Sequence, residues 1–437
     1  MSVQNLIDYI KDKKILILGF GREGKSTYNF IRKYLPQKHL TVGDRNTVTL
    51  EDENVSFDCG ENYLEHLGNY ELVFKSPGIA FLGVKYPSTT EITCQTELFL
   101  RFCDCKTIGI TGTKGKTTTS TLIFRMLKEA GFDACLIGNI GIPVFEDINK
   151  DKDSVAVIEM SSHQLEFTKT SPHIAVLTNV YEEHLDHYED GFTGYVNAKL
   201  NIVRGQTRND FFIYNGSQGI SEYIDESEIR SQRIRIYSEP DDFIAQLSSL
   251  NKNLRGRHNA MDIAFAAAAA KCMGADEVSI RRAIEKFPGI PNRMEYFGTF
   301  GGVDYYNDAI ATIPEAVLCA VEAIGNVGTL IIGGLDRGLD YSEFISSLAN
   351  LDIDNIVCLP ETGHKIADAL ADSGCKAHVR KVADLPEGVR FAVEHTKKGK
   401  ACIMSPAAAS YNIYRDFEEK GNHFKQLVIS MADGYNA

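Results

Sequence analysis

Gly112-Thr113-Lys114-Gly115-Lys116-Thr117-Thr118 has the residue types and spacing to grip a triphosphate. It follows Thr107-Ile108-Gly109-Ile110, which reads as a buried strand, and precedes Ser120 to Leu127, which reads as a helix. Two glycines between such elements let backbone N–H groups close on a phosphate, and the helix N-terminus adds partial positive charge. Lys116 is placed to reach the terminal phosphates, and the Thr117 hydroxyl to hold Mg²⁺. Ile110 stands where the strict G-x-x-x-x-G-K-[ST] pattern needs its first glycine, so the form present is the shorter G-x-x-G-K-T. The expected chemistry is nucleoside triphosphate binding.

Further candidates follow other apolar runs. Glu159 ends Val155-Ala156-Val157-Ile158, at the strand tip where α/β sheets bind ligands; it reads as a cation ligand or as a solvated strand end. The segment Thr178 to Tyr188 is dense in metal-capable side chains. His184 and His187, at i, i+3, have the spacing of a zinc pair but lack a third ligand of like quality nearby. Beside a phosphate loop, Mg²⁺ with one imidazole is the expected alternative, and a surface loop of hydrogen-bonded histidines is another. Lys199 lies in a helical pattern where a lone lysine is ordinarily solvated. Asn259 opens an alanine-rich helix, either as a cap or as an adenine reader. Arg293 sits just after a Pro/Gly interruption at 287–291, either reaching phosphates or facing solvent.

Near the start, Gly19-Phe20-Gly21-Arg22-Glu23-Gly24 follows a strand pattern, with Asp44 beyond it. Alone this is the dinucleotide fingerprint and points to a nicotinamide-dependent dehydrogenase. The same turn also cradles other pyrophosphates, including that of a UDP-sugar, or serves structure only.

These residues must be held by sheets. Short β-branched runs alternate with helical stretches nearly end to end, which predicts α/β architecture with mostly parallel strands. A chain of 437 residues calls for two or three domains, and the segments expected are 1–94, 95–296 and 297–437. The formal charge of −13 disfavours nucleic acid and anionic membranes as partners, while local N–H nests still admit small anions. The ten cysteines are scattered, with only Cys103 and Cys105 close, as expected for thiols in a reducing cytoplasm. The first residues lack the pattern of a secretion signal, and no run has the length of a membrane span. A cytoplasmic monomer acting on small molecules is expected.

Several motifs in order carry a family resemblance. They are the phosphate loop, Gly138-Asn139-Ile140-Gly141, Glu159-Met160-Ser161-Ser162, Asn179 to Asp186, and Gly256-Arg257-His258-Asn259. Asn307-Asp308 with Ala311-Thr312, Gly333-Gly334, and Ser405-Pro406-Ala407-Ala408-Ala409-Ser410 complete the set. Over essentially its whole length the chain resembles the Mur ligases, ATP-dependent enzymes that build the peptide stem of peptidoglycan precursors. The similarity is greatest to the branch adding glutamate to UDP-N-acetylmuramoyl-L-alanine.

The resemblance implies a Rossmann-like N-terminal domain for the UDP moiety, a central P-loop ATPase-like domain and a C-terminal dinucleotide-fold-like domain carrying the amino acid. It makes Lys116, Glu159, His184 and Lys199 catalytic. ATP would meet Gly112, Thr113, Lys114, Gly115, Lys116, Thr117 and Thr118, with Asn259, Arg293 and Asp308. Thr117 and Glu159 would hold one Mg²⁺ and His184 a second, helped by a carbamylated Lys199. The UDP substrate would meet Gly21, Arg22, Glu23, Asp44, Arg45, Ser76, Gly78, Asn139 and Ser161. Thr312, Arg337, Ser410 and Phe417 would form the glutamate pocket. The chain departs from the usual pattern at Ala309-Ile310 (Ser-Lys in many relatives), at Arg337 (often Lys) and at His163 (usually Phe). Arg337 still suits a carboxylate, gripping it with two prongs. Related ligases installing L-glutamate share this variant pattern. Family frequency sets the expectation at D-glutamate, with L-glutamate and a folylpolyglutamate-synthase-like ligation as alternatives.

Overall fold

The computed structural model describes residues 2–140, 142–218, 222–237 and 242–433. Gly141, the last residue of the Gly138 motif, lies outside them. Strands β1 (Ile15–Leu18), β2 (Leu40–Asp44), β3 (Val55–Cys59), β4 (Leu72–Lys75) and β5 (Glu91–Thr93) form a parallel sheet in the order β3-β2-β1-β4-β5. Every residue of β1 and β4 is buried, the continuous apolar reading of strands covered on both faces. Lys75 is the one charged residue in those two strands.

A second parallel sheet holds β6 (Lys106–Thr111), β7 (Ala134–Gly138), β8 (Val155–Glu159), β9 (Ile174–Leu177), β10 (Phe211–Asn215) and β11 (Gln232–Ile236). Its order is β11-β10-β9-β6-β8-β7, so β6 sits between β9 and β8. The tips of β6, β8 and β9 therefore lie side by side, and these tips carry the phosphate loop, Glu159 and Asn179.

The third sheet runs β12-β13-β17-β14-β15-β16, from β12 (Glu295–Phe300), β13 (Val303–Asn307), β14 (Val327–Ile332), β15 (Asn355–Cys358), β16 (His378–Lys381) and β17 (Ala401–Met404). Its strands are parallel except β12, which pairs antiparallel to β13 across a bulge between Tyr296 and Gly298. The chain forms two compact units. One is Met1–Leu247 with His258–Glu285 and contains the first two sheets; the other is Ser248–Arg257 with Lys286–Ala437 and contains the third. No helix among the described residues is long and apolar enough to cross a membrane.

The α/β expectation holds, and the apolar runs at 155–159, 174–177 and 401–404 are strands. The helix expected from Ser120 instead spans Lys116–Glu129, because Gly115 takes a left-handed φ of 84° and lets the helix begin at the next residue. Lys116 and Thr117 thus belong to its first turn. The alanine-rich helix spans Arg257–Cys272.

Candidate active site

The phosphate loop is shaped by what lies against it. A Cβ at Gly112 would collide with the Thr178 hydroxyl, and one at Gly115 with the Asp262 carboxylate. Both residues also hold positive φ, 149° and 84°, so only glycine fits without strain. The loop is stitched to the segment after β9. Thr113 N–H donates to the Asn179 carbonyl at 2.9 Å, Lys114 N–H to Asn179 Oδ1 at 2.8 Å, and the Thr178 hydroxyl to the Lys114 carbonyl at 2.7 Å. Thr113 Oγ1 accepts from Tyr181 N–H at 2.9 Å and lies 2.9 Å from the Tyr195 hydroxyl. Lys116 Nζ folds over the loop, donating to the carbonyls of Gly112 at 2.9 Å and Thr113 at 3.0 Å. An anion entering the loop exchanges these neutral acceptors for charged oxygens, which make stronger bonds to an ammonium.

Thr118 is buried, and Thr119 donates to Asp262 Oδ1 at 3.2 Å, tying this helix to the alanine-rich one. Asn259 is buried at i−3 to Asp262, on the same helix face.

Lys199, which the residue pattern alone would leave in solvent and the resemblance makes catalytic, is only 2% exposed. Its Nζ donates to the Gly112 carbonyl at 2.8 Å and lies 4.5 Å from the centre of the Tyr195 ring. Burial first, and then the nearby charge of Lys116, hold its ammonium well below the ordinary lysine value, with Glu183 opposing. Glu159 is 2% exposed; its Oε1 accepts from Asn139 Nδ2 at 2.6 Å, while its buried Oε2 has no hydrogen-bond partner among the described residues. A carboxylate oxygen withdrawn from water and left open is costly, and a cation would satisfy it. Among the described residues no group of three or more His, Cys, Asp or Glu could hold a metal ion unaided. The site therefore fits a cation that draws on phosphate oxygens and water, as Mg²⁺ does.

The zinc-pair reading of His184 and His187 does not hold. His187 lies buried with Nε2 3.3 Å from Glu166 Oε2, while His184, in left-handed backbone conformation, keeps a half-exposed side chain. His163 packs against both at a tilt, its ring centre 3.9 Å from that of His187 and 4.8 Å from that of His184. Burial, with the two neighbouring imidazoles, pulls His163 down to about 4. It packs at neutral pH as an uncharged ring.

The glycine turn after β1 meets the turn after β4. Ser76 Oγ donates to the Gly19 carbonyl at 2.9 Å, and Phe20 N–H donates to Asp44 Oδ2 at 2.8 Å. Arg45 and Gly78 are exposed beside them. Arg22 Nη2 donates to the Asn139 carbonyl at 3.1 Å, and Gln164 Nε2 to Glu23 Oε1 at 2.6 Å. Burial raises the Glu23 carboxyl. Ser161 caps the short helix Ser162–Leu165 in a reciprocal box with Gln164. Gly21 is exposed in the turn itself. A cavity of about 430 Å³ lies nearby, lined by Phe81, Tyr86, Glu166, Phe167, His187 and Tyr188 among others, and it does not include the phosphate loop.

The second unit presents its own strand tips. Asp308 is 3% exposed; Oδ2 accepts from Ser405 Oγ at 2.7 Å and Oδ1 from Met294 N–H at 3.0 Å, while burial raises its carboxyl to about 6. Oδ1 thus supports the turn carrying Arg293, which lies between two residues of positive φ, Asn292 and Met294, while Oδ2 ties Asp308 to the end of β17. Arg337 Nη2 donates to the Thr312 carbonyl at 3.0 Å, bringing two proposed pocket residues together. Leu335 and Ala409 form a bridge that sets the Arg337 segment beside Ser410, whose buried hydroxyl has no partner among the described residues. Phe417 opens the helix Phe417–Asp433, and Lys420, one turn on, buries its Nζ against the Gly333 carbonyl at 2.8 Å. Sequence reasoning missed Lys75, Glu166, Gln164, Asp262 and Lys420. A lysine closing the apolar run Leu72-Val73-Phe74 was the available signal for the first; Lys420, amid glutamates, offered none.

Residues 110–270 match the model of the Mur ligase middle domain, and residues 292–408 that of the Mur ligase glutamate ligase domain. The chain belongs to the Mur ligase family and is an ATP-dependent, amide-bond-forming ligase. The dehydrogenase suggested by the first glycine turn is thereby set aside. Relatives along its whole length are UDP-N-acetylmuramoylalanine–D-glutamate ligases. That of Clostridium botulinum is 32% identical, covering 97% of this chain and 98% of the relative, and that of Clostridium tetani is 31% identical with the same coverage. The fold is shared with two Thermotoga maritima structures. MurF ligase in complex with ADP has a TM-score of 0.59 at 14% identity, covering 97% of each chain. UDP-N-acetylmuramate-alanine ligase MurC has 0.56 at 16%, covering 96% of this chain and 99% of that one.

Proposed function

We propose that this enzyme joins D-glutamate to UDP-N-acetylmuramoyl-L-alanine in peptidoglycan precursor synthesis, through an acyl phosphate. The full-length likeness to ligases of that name carries the reading. A carboxylate is a poor acyl donor, since its leaving group would be oxide. Its oxygen therefore attacks the γ-phosphorus of ATP, the bond to the β-phosphate oxygen breaks, and ADP departs. The glutamate amine then attacks the acyl carbon, phosphate leaves, and the nitrogen loses a proton. Lys116 would neutralise charge developing on the γ-phosphoryl oxygens. Thr117 and Glu159 would hold one Mg²⁺ and His184 a second, whose charge supports phosphoryl transfer when bound. We assign Lys199 as a carbamate, since a buried amine kept neutral is the form that adds CO₂.

The proposal keeps the UDP side at Gly21, Arg22, Glu23, Asp44, Arg45, Ser76, Gly78, Asn139 and Ser161, and the nucleotide contacts at Asn259, Arg293 and Asp308. Glutamate goes to Thr312, Arg337, Ser410 and Phe417. Functional segments 1–94, 95–296 and 297–437, a monomer and a cytoplasmic location belong to the same reading. Phosphate release should require ATP, Mg²⁺, UDP-N-acetylmuramoyl-L-alanine and D-glutamate together. Release supported by L- but not D-glutamate would overturn the stereochemical assignment, and release indifferent to the UDP substrate would overturn the function.

A further inference from the structure

Lys75 is a lysine in an apolar strand, 3% exposed, immediately before the Ser76-Pro77-Gly78 turn. Its Nζ lies 3.0 Å from Glu166 Oε2, with the rings of Phe81 and Phe167 at 5.4 Å and 5.3 Å. That same oxygen faces His187 Nε2 at 3.3 Å. His187 N–H in turn donates to the His184 carbonyl at 3.1 Å, closing the tight turn that carries the His184 side chain. His163 fills the space between the two imidazoles. One carboxylate oxygen thus joins the first sheet's ligand edge to the histidine turn of the second sheet. Lys75 is buried while Glu166 stays partly exposed, so removing the carboxylate would strand the lysine's charge.

We propose that Lys75 and Glu166 are positioning residues that couple seating of the sugar nucleotide at Ser76 and Gly78 to cation binding at His184. The inference rests on the functional reading above. Coupling of this kind is reciprocal: whatever factor the sugar nucleotide adds to cation affinity, the cation adds to sugar-nucleotide affinity. Neither Lys75 nor Glu166 need touch a reacting atom.

The test uses full-length protein with a non-hydrolysable ATP analogue and Mn²⁺ as the paramagnetic probe. Mn²⁺ binding is followed by electron paramagnetic resonance with and without UDP-N-acetylmuramoyl-L-alanine. Wild type should bind Mn²⁺ about 5- to 10-fold more tightly when the sugar nucleotide is present. Lys75→Met should reduce that factor to below about twofold while leaving affinity for the ATP analogue unchanged, and Lys75→Arg should retain most of it. Should Lys75→Met melt below the assay temperature, Glu166→Gln carries the same expectation, because it keeps the shape and removes the charge. Wild-type coupling preserved in Lys75→Met or Glu166→Gln would overturn the inference, as would its absence in wild type. Failure of wild type to release phosphate with all four reactants would instead strike the functional reading, so the two failures are distinguishable.

Discussion

Two strand edges of this molecule use the same device and leave it in different states. At the tip of β6, buried Lys199 donates to the Gly112 carbonyl at 2.8 Å; at the tip of β14, buried Lys420 donates to the Gly333 carbonyl at 2.8 Å. Each lysine is 2% exposed and is pulled down by burial. The acids carried by those sheet edges differ. Glu159 keeps one buried oxygen open, whereas both oxygens of Asp308 are taken by Ser405 and Met294. Further cations, Lys116 and Lys114, depress Lys199, while burial alone depresses Lys420. A ligand at the sheet edge that carries both the open Glu159 oxygen and the lysine cluster would satisfy that oxygen. The engaged Asp308 carboxylate also fixes the neighbouring turn that carries Arg293.

Lys116→Ala should break the first edge most completely, lowering kcat by about 10³-fold with little loss of thermal stability. A variant within tenfold of wild type would erase the distinction between the edges. Glu159→Gln comes next, cutting kcat/KM by about 10²-fold and raising the Mg²⁺ concentration for half activity; an unchanged Mg²⁺ dependence would show that the open oxygen serves another purpose. Lys199 should react with CO₂ where Lys420 does not. In ¹³C-bicarbonate, wild type and Lys420→Met should each show a carbamate carbonyl resonance that Lys199→Ala lacks, and a resonance surviving Lys199→Ala would move the modification elsewhere.

The smallest effect on activity belongs to Lys420→Met, whose signature is stability. Burial holds Lys420 at about 8, against about 10.4 for a free lysine. Between those values the unfolded chain binds the proton more readily, so folded stability rises as pH increases from 8 to 10 and is lost in the reverse direction. Urea unfolding should show that rise reduced by about 2 kcal/mol in Lys420→Met. Parallel pH profiles would show that Lys420 is charged and paired in the folded state.

The sequence made the phosphate loop legible because its glycines, lysine and hydroxyl sit between two recognisable elements. Glu159 and Asn179 were legible for the same reason, each at the end of an apolar run. Lys199 was legible only through the family resemblance, because helical periodicity does not say which face of Gly191–Arg204 meets the loop; the tertiary placement of Gly112 does. The start of the helix at Lys116 depended on the left-handed Gly115, a backbone property that residue names only permit. The engagement of Asp308 was hidden as well, since Ser405 and Met294 reach it from distant parts of the chain. Lys75 betrayed itself by charge in an apolar strand, yet its partner Glu166 is 91 residues away.

The central claim is that ATP activates the sugar-linked carboxylate directly. UDP-N-acetylmuramoyl-L-alanine carrying ¹⁸O in its alanine carboxylate tests this in one turnover. The account requires one ¹⁸O atom in the inorganic phosphate released for each amide bond formed. Amide formation that yields phosphate without label would contradict it.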